Sequence, residues 1–159
     1  SRGTVFGYQV LDPERYGVVD FDAKGKVISI KEKPEKPSSN YAVTGLYFLD
    51  ATASERVESI SPSSRGELEI TDLLESYLQD DLLDVELMGR GFSWLDTGTQ
   101  DSLIEASEFV RTIQKRQGLS IGCPEEISLS QGWISKEKLK KRIKDLPKND
   151  YGNYLRSLL

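Results

Sequence analysis

The chain has 159 residues, 37% of them hydrophobic and 30% charged, which suits one domain with or without a small appendage and is too apolar for a disordered chain. Lys and Arg total 21 against 26 Asp and Glu, and the net charge of -5 argues against a nonspecific grip on nucleic acid, which needs a basic surface. Cys123 is the only cysteine and there is no histidine, so intrachain disulfides, Cys-based zinc sites, His triads and imidazole bases are excluded, leaving carboxylates, Lys, Arg, hydroxyls, amides and hard cations such as magnesium.

Thr4 to Val10 is rich in β-branched and aromatic residues and predicts a strand, with Leu11-Asp12-Pro13-Glu14 as the turn that follows. Tyr16 to Phe21 and Lys26 to Lys33 flank Asp22-Ala23-Lys24-Gly25, which predicts a hairpin over 16–33. Pro34 and Pro37 remove amide donors and mark a surface loop before Ala42 to Leu49, whose nearly continuous apolar run predicts a central strand buried on both faces. Ser64-Arg65-Gly66-Glu67 fits a capping box for a helix whose face is Ile70, Leu73, Leu74, Tyr77 and Leu78. Asp84 to Met88 reads as a further strand. Thr99 is expected to cap a long helix to Gln117, with Leu103, Ala106, Val110 and Ile113 inward and Gly118 as its stop. Short helices follow, with Pro124 in a first turn, Ser135 as a cap and Asp150 opening the last one. The lysine run 136–144 is interleaved with Leu139 and Ile143 and continues to Leu146, the pattern of a solvated helix face over an apolar stripe. The expected fold class is therefore α/β, followed by a small helical subdomain.

Three places carry candidate chemistry. Glu32-Lys33-Pro34 sets a carboxylate and an ammonium at a strand end, where adjacent side chains normally point to opposite faces. An irregular end would turn both toward one polyol phosphate, Glu32 accepting from hydroxyls and Lys33 meeting the phosphate; solvated charges beside a loop are the plainer alternative. Arg65, just before a helix, can meet a phosphate together with free amides or can cover apolar surface. Asp96, within Trp94-Leu95-Asp96-Thr97-Gly98-Thr99, can hold magnesium through phosphate oxygens and waters, or can belong to a turn that ends in a helix cap.

The strings Tyr16-Gly17-Val18-Val19, Glu32-Lys33-Pro34, Asn40 to Tyr47, Arg65-Gly66-Glu67-Leu68-Glu69-Ile70-Thr71-Asp72 and Trp94 to Thr99 occur in an order that resembles the glucose-1-phosphate thymidylyltransferases, a branch of the sugar-1-phosphate nucleotidyltransferases. The resemblance runs on through Cys123-Pro124-Glu125-Glu126-Ile127 and Asn153-Tyr154-Leu155. It implies the C-terminal part of a Rossmann-like fold over residues 4–118, carrying the sugar-phosphate side, and a helical subdomain over 119–159. The family joins dTTP to glucose 1-phosphate with Mg2+, giving dTDP-glucose and pyrophosphate for deoxysugars such as rhamnose. By resemblance, Tyr16, Gly17, Glu32 and Val43 line the sugar pocket, Lys33 and Arg65 hold the phosphate, and Asp96 is one of two magnesium aspartates with Trp94 beside it. An effector site is implied near Gly89-Arg90 and Glu126-Ile127.

The family's Gly-x-Gly-x-Arg-x-x-Pro phosphate loop has no counterpart in these 159 residues, so the chain on its own is expected to be inactive. Removing the first strands of such a sheet exposes its edge and face, so a missing N-terminal half or a homo-oligomer is the expected partner. Met88 is the sole methionine, so Ser1-Arg2-Gly3 reads as a cut end. No apolar run nears the ~18–20 residues that span a bilayer and no export signal opens the chain, so a cytoplasmic protein without membrane or nucleic-acid partners is expected.

Overall fold

The computed structural model describes residues 2–159 and divides into two compact units that meet in sequence between Trp94 and Leu95. The first is a mixed five-stranded sheet with helices, an α/β arrangement. Its strands are β1 (Gly3–Gln9), β2 (Gly17–Phe21), β3 (Val27–Glu32), β4 (Tyr41–Phe48) and β5 (Leu83–Leu87), in the order β3-β2-β4-β1-β5. A single 3-10 turn at Pro13–Arg15 links β1 to β2. The hairpin read from 16–33 forms as β2 and β3, antiparallel with Gly17 opposite Glu32. Its turn is closed by Asp22, whose Oδ1 accepts from the amides of Lys24 and Lys26 at 2.8 and 2.9 Å, while Gly25 takes φ +80, a conformation open to glycine at little cost. β5 runs parallel to β1 from Gly3↔Leu83 to Gly7↔Leu87, and the other pairings are antiparallel.

Helix α2 (Ile70–Gln79) covers one face of the sheet. Leu73, Leu74 and Tyr77 are buried there with Val5, Val19, Ile30, Val43 and Leu83. The helical spacing of the apolar residues is as expected, but two readings of this helix change. The chain does not enter it through a capping box at Ser64–Glu67. Ser63 to Glu67 closes on itself instead, the Ser63 amide donating to the Glu67 carbonyl at 2.8 Å and Gly66 standing at φ +79, so the helix starts only at Ile70 with extended Glu69 before it. Local hydrogen bonds of this kind compete with helix entry. Ile70 is 37% exposed, and Thr71 is buried in its place.

β4 is central, as expected, but it is not buried on both faces along its length. Ala42, Val43 and Thr44 are buried, whereas Leu46 and Phe48 are 53% and 58% exposed. The reason lies in the layers: α2 covers one face, and none of the sheet unit's helices lies over the end of the other. A short helix absent from the sequence reading, α1 (Ala53–Val57), rests on α2 through Arg56, which donates to the Ser76 carbonyl at 3.1 Å.

The second unit contains α3 (Gln100–Gln117), α4 (Pro124–Ser130), α5 (Lys136–Ile143) and α6 (Asp150–Ser157). Thr99 caps α3, accepting from the Ser102 amide at 3.1 Å, and Gly118 ends it at φ +69. The face proposed as inward on α3, however, buries none of Leu103, Ala106, Val110 and Ile113, and Leu103 is 53% exposed. The core of this unit is elsewhere, among Cys123, Leu139, Ile143 and Leu155. That arrangement leaves the lysines of α5 in solvent. Ser135 caps α5, accepting from the Lys138 amide at 3.2 Å. α6 is capped by Asn149, not by Asp150, through a 2.9 Å bond from the Gly152 amide. Among the described residues no helix is long and apolar enough to cross a membrane.

Candidate functional site

The end of the β2–β3 hairpin, the loop before α2 and the first turn of α2 meet around one carboxylate. Glu32 ends β3 opposite Gly17, and the next residue, Lys33, takes φ +40, a left-handed backbone that a non-glycine residue adopts only when its surroundings hold it there. Its amide donates to the Tyr16 carbonyl at 2.9 Å. This irregular end undoes the normal alternation of side chains, so Lys33 Nζ lies 3.9 Å from Glu32 Oε1. On the same oxygen, Arg65 Nη2 approaches to 3.8 Å. Thr71 Oγ1 donates to Glu32 Oε2 at 3.3 Å.

Arg65 is oriented by other acids. Its Nε and Nη2 reach Glu69 Oε1 at 3.1 and 2.9 Å, and Nη2 also meets Glu69 Oε2 at 2.9 Å and Glu67 Oε2 at 3.0 Å. The hydrogen bond to Glu69 raises the guanidinium's already high pKa. Ser63 donates to Glu69 at 2.6 Å, and Ser63 first, then Arg65, hold the Glu69 carboxyl below the usual carboxylate range. The result is a fork-shaped cation in a defined orientation beside Glu32, half in solvent, with an ammonium on the opposite flank. Such a pair suits a dianionic phosphate, while Glu32 offers acceptor oxygens to hydroxyls.

Gly17 lets Thr71 and Glu32 pack directly over the β2 backbone. A Cβ added there would stand 2.7 Å from Thr71 Cγ2 and 3.4 Å from Glu32 Oε2, with Val43 3.8 Å away. Tyr47, on β4, has its phenol pKa pushed up by burial and then by the charge of Glu32. Beside Gly17, Tyr16 packs edge-on against Trp94 with ring centroids 5.1 Å apart, and Tyr8 lies 6.0 Å from the same indole.

Of the residues expected from sequence, Gly17, Glu32, Lys33, Val43 and Arg65 thus form one cluster, with Tyr16 and Trp94 in contact next to it. Asp96 belongs to the second unit, where its carboxylate folds back over Gly98, 3.2 Å from where a Cβ would stand. As one hard oxygen donor it fits part of a magnesium coordination shell, and no group of three or more metal-ligating side chains occurs among the described residues. Gly89 and Arg90 line a hollow of about 250 Å³ with Tyr8 to Leu11 and Asn40. Glu126 and Ile127 lie on α4 in the second unit, where Glu126 accepts from Tyr154 OH at 2.6 Å. Sequence reasoning missed Ser63, Glu69, Thr71, Tyr8 and Tyr47. Three of these left a signal: Ser63 and Glu69 flank Arg65 before the helix as a hydroxyl and a carboxylate, and Thr71 is a polar residue one step off an apolar stripe.

The model for the family described as nucleotidyl transferase matches residues 1–113. The chain belongs to that family. Among curated proteins, the glucose-1-phosphate thymidylyltransferase of Xanthomonas campestris pv. campestris is 61% identical over 98% of this chain and 52% of its own length. That of Neisseria gonorrhoeae is 54% identical over 98% of this chain and 54% of its own, and that of Mycolicibacterium smegmatis is 52% identical over the whole chain and 55% of its own. A crystal structure described as a glucose-1-phosphate thymidylyltransferase from Bacillus anthracis superimposes with a TM-score of 0.62 and 41% identity, over 69% of this chain and 44% of that one. A UDP-glucose pyrophosphorylase complexed with UDP-glucose does so with a TM-score of 0.60 and 26% identity, over 70% and 44%. The chain therefore spans about half the length of these nucleotidyltransferase relatives. That share is a length and not a position, so the expectation of a C-terminal half gives way to the coarser statement that the chain corresponds to about half of a longer protein.

Proposed function

We propose that this chain carries the sugar-phosphate side of an enzyme that makes dTDP-glucose and pyrophosphate from dTTP and glucose 1-phosphate. The observation that carries the reading is the convergence of Lys33 and Arg65 on Glu32, beside Gly17, whose lack of a side chain lets Thr71 pack against the same carboxylate. In this reading residues 4–118 are the nucleotidyltransferase part and 119–159 a helical subdomain. Glu32 accepts hydrogen bonds from sugar hydroxyls, Val43 and Gly17 form the pocket floor, and Tyr16 and Trp94 form an aromatic wall. Lys33 and Arg65 hold the sugar's phosphate. One oxygen of that phosphate attacks the α-phosphorus of dTTP in line, a P–O bond forms as the bond to the β-phosphate breaks, and pyrophosphate leaves. No residue need form a covalent intermediate, so positioning and charge neutralisation suffice, in keeping with a chain that has no histidine.

Magnesium, when bound, neutralises phosphate charge and aligns the reacting oxygens. Asp96 would be the residue of this chain that holds it, and the other ligands would be phosphate oxygens, waters and a second carboxylate from outside these residues. Gly89 and Arg90 at their hollow in the first unit, and Glu126 and Ile127 on α4 in the second, are each proposed as effector-binding residues for a sugar nucleotide.

The reading is tested by calorimetric titration of this chain with glucose 1-phosphate, with and without Mg2+, against the Lys33→Ala variant. Binding that Lys33→Ala abolishes supports it. The absence of any binding by folded wild type favours a second reading, an assembly fragment without its own ligand. What favours that alternative is the lack, in these 159 residues, of a Gly-x-Gly-x-Arg-x-x-Pro loop. Turnover assays of the longer protein with dTTP, UTP and CTP then fix the base.

A further inference from the structure

The β2–β3 hairpin has a second face. Val19 and Ile30 point into the core beneath α2, so their neighbours Asp20 and Ser29, which stand opposite each other, point to the other side of the sheet. Asp20 is only 6% exposed. Its Oδ2 accepts from the Ser29 hydroxyl at 2.9 Å, and Lys31 Nζ, on an exposed side chain, comes no nearer than 4.0 Å. Its Oδ1 is buried with no hydrogen-bond partner among the described residues. A carboxylate has places for about four donors, and one buried with a single hydrogen bond costs stability that an incoming donor would restore. The carboxylate borders a hollow of about 610 Å³ that Gln9, Ser29, Lys31, Asn40 and Tyr41 also line, within the ~300–1,000 Å³ usual for small-molecule sites. The loop that carries Ser38 to Asn40 is pinned beside it: Ser39 donates to the Val19 carbonyl and accepts from the Tyr41 amide at 3.2 Å.

We infer that this hollow binds a neutral polyhydroxyl ligand, one pyranose ring of a sugar, on the face of the hairpin opposite Glu32. The charges choose the class: one carboxylate and one ammonium balance, which favours a neutral ligand over a cation or a phosphate. Asp20 accepts from ligand hydroxyls, Lys31 donates to them, and the side-chain amides of Gln9 and Asn40 can do either. Phe21 and Tyr41, edge to face with ring centroids 5.6 Å apart, offer an apolar wall to the C–H face of the ring. Rotation about χ2 exchanges the two Asp20 oxygens, so a hydroxyl entering beside Lys31 takes one while Ser29 keeps the other. Ser29 and Lys31 alternate with Ile30 and Glu32 along β3, so the ligand lies on the back of the strand that ends in the Glu32–Lys33 pair. No residue of the Glu32 cluster takes part, and the inference is independent of the proposed activity.

The test is a titration of the isotope-labelled 159-residue chain with methyl α-glucopyranoside, a sugar ring without phosphate, followed by amide chemical shifts. Saturable shifts are expected at Ser29, Lys31 and Asn40. Asp20→Asn, which keeps the shape and puts a donor in place of an acceptor, should weaken this binding at least tenfold. Lys31→Ala, at an exposed side chain, should weaken it at least threefold, and it carries the test alone if circular dichroism shows Asp20→Asn unfolded. The inference is overturned by the absence of saturable shifts, by the same shifts with KCl or MgCl2 alone, or by folded variants that bind like wild type. Shifts confined to Gly17, Lys33 and Thr71 also overturn it, and they favour the proposed substrate pocket instead. Saturable shifts at Ser29, Lys31 and Asn40 in a chain that does not bind glucose 1-phosphate support the inference and count against the proposed function, so the two readings fail separately.

Discussion

The two faces of the sheet carry similar residues and differ in what lies over them. On one, α2 buries Val5, Val19, Ile30 and Val43 beneath Leu73, Leu74 and Tyr77. On the other, Phe6, Leu46 and Phe48 sit on the same strands at alternate positions, and Leu46 and Phe48 remain more than half exposed. The lesson is that the polar cluster at Glu32 is held by the covered face: Thr71 and the Ser63–Glu69 loop reach it only because α2 is anchored beneath. The open face carries none of the cluster's charged groups and meets the site only through Trp94, which packs on Tyr16.

The sharpest way to break the comparison is to cut one leucine on each face. Leu74→Ala, at a fully buried position, should cost about 2–5 kcal/mol, whereas Leu46→Ala in the chain alone should cost about 0.5 kcal/mol or less. Urea denaturation of both variants measures the difference, and near-equal losses would mean that the open face is already covered.

A second test concerns the room at Gly17. Gly17→Ala forces a methyl to 2.7 Å from Thr71 Cγ2 and should cost about 1–3 kcal/mol while weakening glucose 1-phosphate binding. Thr71→Ser removes the clashing methyl and keeps the hydroxyl to Glu32. In a double-mutant cycle it should recover at least half of the loss; a purely additive double variant would show that Gly17 matters for its backbone alone.

The pH dependence divides the same way. Asp50 is held low by hydrogen bonds from Thr52 and Tyr77, and Glu69 by those from Ser63 and Arg65, both groups bracing α2 and its loop. For a depressed carboxylate the stabilisation is complete above the unfolded value, near 3.8 for Asp and 4.5 for Glu, and is lost as pH falls through the lower folded values. Thermal melts should therefore be flat from pH 7 to about 5 and fall below pH 4. Glu69→Gln should soften that acid-side fall.

The smallest expected effect is that of Lys33→Asn on stability. Lys33 is exposed and carries φ +40, and Asn tolerates that backbone better than Lys does, so the melting temperature should stay within about 2 °C while sugar-phosphate binding is lost. Loss of folding instead would make Lys33 a structural residue.

Much of this was legible in the chain. The β2–β3 hairpin announced itself through Asp22 and Gly25 between alternating strands, α2 through the spacing of Leu73, Leu74 and Tyr77, and α3 through Thr99 and Gly118. Local rules suffice there, because a turn, a period and a cap each depend on a few neighbouring residues. The residue strings also marked Gly17, Glu32, Lys33 and Arg65 as candidates.

What the chain did not disclose is where those candidates meet and what else is present. That Lys33 turns back onto Glu32 depends on a positive φ fixed by its bond to Tyr16, and that Arg65 faces Glu32 depends on Glu69, a residue silent in any periodicity. The apolar residues of β4 and α3 looked alike whether or not anything covers them, since hydrophobicity states a need for burial and not the identity of the cover. The sequence by itself determined the elements, because each is written in residues a few positions apart. Only the tertiary structure decided which of their faces are closed, because that follows from contacts between segments far apart in the chain.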